Sequence, residues 1–425
     1  MLAEIHQHIR HNFIVSVLDG AFFGFALGLA SSVTVLPLFV STLTDSTVLI
    51  GLIASIQTIG WQLPQLLTAV RVARLRRYKP MVVLTSFHER WPYFGLALVA
   101  WLLPTLGTQV ALFLAFGLLI WQALGGGFTA TAWQSMTGKI VPPNRRGTFW
   151  GVQAAGVNLM SSLGAVIAGT LLASLPSPTD FALCFLIAGA LMLVSWGWLS
   201  LTREPESDPD DMLASSRLAW SNMSAILRRD ASFRWFLAAR ILAQLAWTAI
   251  SFYTIYAVRA FNMDEQIAGL LAGVMTIAHM GASPLLGWIG DQWGHRIVFM
   301  MGGLMIAASA LLAMLAPELG WFFVVFGLAG CFNAVMWTTT MALTVEFGTP
   351  GERPLYIGLS NTLVGPAALL GPLVGGWLAD TLGFQATFLI SAVSGLFLIL
   401  AVQRVVAQKA PAGISATPRT AYLDK

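Results

Sequence analysis

The chain has 425 residues, 57% of them hydrophobic and only 10% charged, with a mean hydropathy of +0.75. A soluble domain typically carries ~25% charged residues, so composition excludes an ordinary water-soluble enzyme or binding module. The net charge of +4 would suit a nucleic-acid partner, but the placement of the charges excludes that reading as well.

Long apolar runs fill the chain. A bilayer core needs ~20 apolar residues per spanning helix, and lipid demands segments that satisfy their own backbone hydrogen bonds. Spanning helices are predicted at 13–41, 48–70, 81–104, 109–138, 148–175, 181–201, 233–258, 266–290, 297–316, 320–347, 355–379 and 384–408. The fold class is thus an all-α membrane protein with short loops and no room for a soluble domain. The polar, His-rich stretch 1–12 lacks the pattern of a cleavable signal, so the first helix is expected to stay in place.

The first span carries Asp19 and a small-residue face, Gly20, Gly24 and Gly28, on which another backbone can approach closely. The third holds His88-Glu89-Arg90 near its middle. Ionisable groups inside spans are costly and carry functional hypotheses. Asp19 has three readings: a proton carrier, a permanent partner of Arg90 or Arg240, or a group reaching interfacial water. The Glu89–Arg90 pair reads as structural or as a relay. The sixth and tenth spans contain Cys184 and Cys331, two buried thiols with no disulfide framework. The acidic stretch Glu204-Pro205-Glu206-Ser207-Asp208-Pro209-Asp210-Asp211 reads as a solvated linker. Arg240 in the seventh span could pair structurally or contact an anionic substrate. His279 in the eighth reads as a packed or cavity histidine, and Glu346 ends the tenth.

Basic residues alternate between loops. Arg71, Arg74, Arg76, Arg77 and Lys79 share one loop; Lys139, Arg145 and Arg146 the loop two crossings later; Arg203, Arg217, Arg228 and Arg229 the middle one; then Arg296, Arg353, Arg404 and Lys409. The opposite loops hold Asp45, Asp180, Asp264, Glu265, Glu318 and Asp380, with Arg259 alone among basic residues. This positive-inside bias puts both termini in the cytoplasm of a multi-pass plasma-membrane (inner-membrane) protein.

The two halves repeat. Arg146-Gly147-Thr148-Phe149-Trp150-Gly151 lines up with Arg353-Pro354-Leu355-Tyr356-Ile357-Gly358, and Gly51-Leu52-Ile53-Ala54 with Gly269-Leu270-Leu271-Ala272. Parallel repeats about an axis along the membrane normal describe one large transporter architecture. With Gly287, Asp291, Gly294, His295 and Arg296 matching its loop signature, the chain resembles the major facilitator superfamily. The first-half loop departs, with Ala73 in place of the aspartate. Gly365-Pro366 and Gly371-Pro372-Leu373-Val374-Gly375-Gly376 look like the glycine–proline motif of its antiporters, but in the eleventh helix rather than the fifth. The fourth helix also lacks the arginine those antiporters often carry.

The resemblance implies twelve transmembrane helices in two pseudo-symmetric six-helix bundles, at 1–201 and 232–408, joined by a cytoplasmic linker at 202–231 and followed by a tail at 409–425. It implies a conformational latch at Gly287, Asp291, Gly294 and Arg296, with Asp291 meeting Arg145 or Arg146 and the positive N-terminus of the fifth helix. It places a substrate cavity among the first, fourth, seventh and tenth helices, lined by Asp19, Gln122, Trp133, Gln134, Arg240, Gln244, Trp247, Tyr253, Tyr256, Asn333, Trp337 and Thr338. Coupling candidates are Asp19, Glu89 and Arg90.

No phosphate-binding loop precedes Gly138-Lys139, His88-Glu89-x-x-Pro92 lacks a zinc protease's second histidine, and no nucleophile–base set appears. The expected protein is not an enzyme and needs no cofactor or metal. It is a monomer in the bilayer that exports small amphipathic molecules by alternating access, with protons as a candidate partner. A facilitator or symporter for a neutral solute such as a sugar, and a non-transporting sensor, are the alternatives.

Overall fold

The structure, a computed structural model, describes residues 2–208 and 221–405. Arg217, Lys409, Asp210, Asp211, the middle of the linker (209–220) and the 409–425 tail lie outside the described residues. The described residues form helices and no strand: α1 (Leu2–Leu29), α2 (Val35–Ser41), α3 (Thr47–Ala73), α4 (Lys79–Arg90), α5 (Pro92–Trp101), α6 (Leu103–Ile140), a 3-10 turn (Pro143–Arg145), α7 (Arg146–Ser174) and α8 (Thr179–Ser200). They continue with α9 (Ser221–Arg229), α10 (Ala231–Trp247), α11 (Ile250–Phe261), α12 (Glu265–Trp293), α13 (His295–Leu315), α14 (Trp321–Thr344), α15 (Arg353–Leu382) and α16 (Phe384–Gln403). Among the described residues, 11 spans are long and apolar enough to cross a membrane.

The predicted first span is really two helices. Between them the Ser31 hydroxyl accepts from the Val33 and Thr34 amides, both at 3.2 Å, so a hydroxyl side chain replaces helical pairing. The predicted third span, 81–104, also divides, at Trp91, which leaves neither piece long enough to count as a span. Pro92 explains the break, since proline has no amide to donate and its ring collides with the preceding turn. The seventh span also divides, at Thr248 and Ala249, into α10 and α11, without a proline and still within one continuous spanning stretch, Ala231–Phe261. The turn expected between 104 and 109 lies at Gly107, whose φ of 74° interrupts α6.

In the first half of the chain α1 packs on α7 and α8, α3 and α4 on α6, and α5 on α8. In the second half α14 packs on α12 and α13, and α16 on α13 and α10. The glycine face of α1 meets α7, with Gly24 against Val157 and Gly28 against Ser161 and Gly164. An aromatic cluster of Phe233, Phe236, Phe347 and Tyr356, with ring centroids 4.7–6.3 Å apart, fastens the start of α10 to the end of α14 and the start of α15. The halves are joined chiefly by α7 with α12 and α3 with α15, and to a lesser extent by α7 with α14 and α6 with α15. The joining contacts gather at the end of the molecule that carries the basic loops.

Candidate functional site

Three groups of side chains are candidates for a functional site: a buried charge cluster in the first half, a junction at the basic-loop end, and a polar network across the α3–α15 contact.

The charge cluster brings α1, α4 and α8 together. Asp19 Oδ1 accepts from Ser195 Oγ at 2.6 Å and from Arg90 Nη2 at 3.4 Å. Arg90 also donates to Ser195 Oγ at 3.1 Å and to the Ser86 carbonyl at 3.2 Å, and its guanidinium lies 5.3 Å from the centroid of the Phe23 ring. Glu89 Oε2 stands 3.5 Å from Arg90 Nη1. All three ionisable side chains are buried, at 4–9% exposure. Two carboxylates therefore share one guanidinium. Asp19 pairs with Arg90, not with Arg240, and it faces α4 and α8 inside the first half. Glu89 has the poorer environment, with only its long contact to Arg90. Its other oxygen rests against α6, where a side chain at position 126 would meet Glu89 Oε1 at 2.9 Å.

At the basic-loop end, the Asp291 carboxylate accepts from the Gly147 and Thr148 amides, both at 2.7 Å. These are unsatisfied donors in the first turn of α7, where the helix dipole favours an anion. The close approach depends on glycine: a Cβ at Gly147 would strike the Gly287 carbonyl, and one at Gly287 the Gly147 carbonyl. Gly294, at φ 98°, turns the chain from α12 into α13, a conformation that glycine adopts without steric penalty. The expected ion pair between Asp291 and Arg145 or Arg146 is absent among the described residues. Arg145 is exposed, and Arg146 donates to the Gly138 carbonyl at 2.6 Å. Arg353, its counterpart in the repeat, reaches the same carbonyl at 3.3 Å. Both cations thus sit at the negative C-terminal end of α6. The side chain recorded beside Asp291 is instead the imidazole of His295, at 3.6 Å. Arg296 turns away and donates to the Val405 carbonyl. Glu346, two residues beyond α14 and outside the span, lies 3.8 Å from His295. Its side chain keeps 43% of its surface, yet the protein crowded around its carboxyl raises it to about 7, against the pull of Arg146 and Arg296.

Across the α3–α15 contact, Arg240 Nη1 donates to Ser360 Oγ and, at 2.8 Å, to Asn361 Oδ1. Asn361 Nδ2 donates to Gln65 Oε1 at 2.6 Å and to Gln134 Oε1 at 3.3 Å. Thr362 donates to the Gln62 carbonyl at 2.8 Å and accepts from the Leu66 amide at 3.2 Å. This network ties α3 and α6 to α10 and α15.

The other expected cavity residues scatter. Gln122 is buried and accepts from Gln57 at 2.7 Å. Trp133 packs edge-on to Trp150 at 5.1 Å. Trp247 lies on Phe332 at 5.8 Å, one turn from Gln244. Tyr253 is fully buried, its hydroxyl 2.9 Å from Ser309, so it belongs to the second-half core and not to an open face. Tyr256 joins the same aromatic core against Phe388 at 5.2 Å. Asn333 is buried with no partner for Oδ1, Thr338 bonds its own helix, and Trp337 is half-exposed.

Sequence reasoning missed Ser195, Ser360, Asn361, Gln65 and Glu204. Glu204 is no solvated linker residue. It accepts from the Tyr78 and Lys79 amides at 2.9 and 2.7 Å and pairs with Lys139 at 2.9 Å, capping the start of α4. A carboxylate that follows a span and faces a basic loop was the available signal; the prolines around it pointed instead to a free chain.

The sequence profile of the Major Facilitator Superfamily matches residues 84–258 and 236–421. A multidrug transporter protein of Bacillus subtilis, MdtP, is 26% identical over 148 residues, 33% of this chain and 27% of that one. A multidrug resistance protein of Aeromonas salmonicida, MdtH, is 29% identical over 178 residues, 40% of this chain and 42% of that one. The aligned stretches thus span well under half of these relatives. The crystal structure of the E. coli fucose:proton symporter FucP superposes with a TM-score of 0.75 at 16% identity, covering 93% of this chain and 98% of that one; at that identity the likeness is one of fold.

Proposed function

Since the chain belongs to the Major Facilitator Superfamily, a family of transporters, we propose that it is a proton-coupled exporter of small amphipathic molecules. In this reading twelve crossings form two six-helix bundles, at 1–201 and 232–408. The third crossing is made by α4 and α5 together, and the termini and basic loops face the cytoplasm of the cell's plasma (inner) membrane. The observation that carries the coupling is the excess of carboxylate over cation in the Asp19–Glu89–Arg90 cluster. In a low-dielectric interior two carboxylates beside one cation share their ionisation, and one takes a proton readily. Glu89 takes it, because Asp19 already holds the Ser195 hydroxyl as well as Arg90. The names of the partial relatives support export of drug-like compounds; the sugar symporter among the fold neighbours keeps a neutral-solute symporter as the second reading.

The arrangement described corresponds to the state closed toward the cytoplasm. Asp291 on the α7 N-terminus, with the Gly147–Gly287 contact, latches that side, and the network at Asn361 seals it more deeply. Alternating access requires both to open. The reading is tested by dye extrusion from an efflux-deficient bacterium expressing the chain. Extrusion that an uncoupler abolishes, and that fails in Glu89→Gln, is expected. Good membrane expression with no extrusion would overturn export in favour of a solute carrier.

A further inference from the structure

Arg240 is 9% exposed, and among the described residues it has no carboxylate partner. Its hydrogen bonds are two, both from Nη1, to the Ser360 hydroxyl and the Asn361 amide oxygen. Nε has no partner, and Nη2 makes no recorded bond. A buried guanidinium without a counter-ion is expensive. Nor can a small side-chain movement supply one: α3, α6, α10, α13, α14 and α16 contain no Asp or Glu, and the only one in α15 is Asp380, twenty positions beyond Ser360. The Nε–Nη2 edge left empty is one of the edges by which arginine grips a planar anion with two parallel N–H bonds. A second donor stands in the same network without a partner: Gln134 is 1% exposed, its Oε1 accepts from Asn361, and its Nε2 is unsatisfied. Along α10, Gln244 and Trp247 follow Arg240 at the i+4 and i+7 positions and so share its face.

We infer that the open edge of Arg240 is the docking position for an anionic head group, carboxylate or sulfonate, of an amphipathic transported molecule whose aromatic body lies along the Gln244–Trp247 face. This rests on the export reading and narrows its substrate class to organic anions. Arg240 shares Asn361 with Gln65 of α3, so a molecule from the cytoplasm reaches its open edge only when α3 and α15 part. Parting them frees the Asn361 amide and leaves Arg240 to bind the incoming anion.

The test uses two size-matched probes of opposite charge, naphthalene-1-sulfonate and (1-naphthyl)methylammonium. Their energised uptake into inverted membrane vesicles is measured, together with thermal unfolding of the purified full-length protein in the presence of each. The sulfonate is expected to raise the melting temperature of the wild type, because a ligand of the native state stabilises it by mass action, and not that of Arg240→Gln. Sulfonate uptake should fall at least tenfold in Arg240→Gln. Arg240→Lys keeps the charge without the two-pronged edge and should lose most of the sulfonate effect while folding normally. A wild type that the sulfonate does not stabilise, stabilisation that persists in Arg240→Gln, or equal loss of cation and anion uptake in both variants would overturn the anion site. Arginine-dependent stabilisation with no uncoupler-sensitive uptake of either probe would leave the anion site standing and remove the export reading.

Discussion

Asp19 and Glu89 draw on one guanidinium in a volume closed to water, and this sets what each substitution should do. Removing the cation leaves two buried carboxylates uncompensated, and breaking a buried pair in this way costs about 3–5 kcal/mol. Arg90→Met should therefore lower the melting temperature markedly, whereas Glu89→Gln should leave it near the wild type, since the glutamine replaces a carboxyl already read as the proton's resting place. A melting temperature unchanged in Arg90→Met would contradict this account. At the proposed latch, Glu346 carries a pH dependence of definite sign. Its carboxyl is raised from 4.5 to about 7 by its surroundings. A raised carboxyl holds its proton in the closed form, so its contribution to closure is full below about 4.5 and fades as pH climbs through 7. Labelling of a cysteine placed in the cytoplasmic cavity should accordingly increase between pH 5 and 8, and Glu346→Gln should flatten that rise. The sequence exposed Asp19, Glu89 and Arg90 because charges stand out in an apolar run. Ser195, Ser360 and Asn361 stayed hidden because hydroxyls and amides are ordinary in spanning helices, and only the fold shows which of them face an arginine.

Helices α7 and α12 cross with backbones in contact at Gly147 and Gly287, and any added Cβ there collides with a carbonyl of the opposite helix. Gly147→Val should wedge the pair apart, expose the cytoplasmic cavity to thiol reagents and slow recovery of the closed form. Asp291→Asn should act in the same direction but less strongly, since an amide can still accept from one of the two N–H groups of α7 while its own N–H₂ opposes the other. Labelling equal to wild type in Asp291→Asn would remove the latch role. Helix existence was legible from apolar run length, and the turn at Gly294 from its glycine. The breaks at Ser31 and Trp91 were not, because continuous hydropathy outweighed the local signals of Pro92 and of the Ser31-Ser32-Val33-Thr34 cluster. The same logic hid Glu204, whose role depends on α4 beginning beside it.

Over the whole molecule, the contacts between the halves lie at one end: Asp291 on α7, Arg353 on the Gly138 carbonyl of α6, and Asn361 between Gln65 and Gln134. The charge cluster lies off this seam, within α1, α4 and α8. Coupling then requires that protonation change how Arg90, at the end of α4, is held to α1 and α8, and so shift α4 against α6, whose C-terminal end takes part in the seam. The central claim is that outward movement of a solute is exchanged for an inward proton held at Glu89. Its most direct test is proton flux in proteoliposomes containing the purified chain and a trapped pH indicator, with a gradient of naphthalene-1-sulfonate or ethidium imposed across the membrane. The account predicts solute movement accompanied by opposing proton movement in the wild type, and in Glu89→Gln solute exchange without any proton movement. Solute movement with no proton flux in the wild type, or unchanged proton flux in Glu89→Gln, would contradict it.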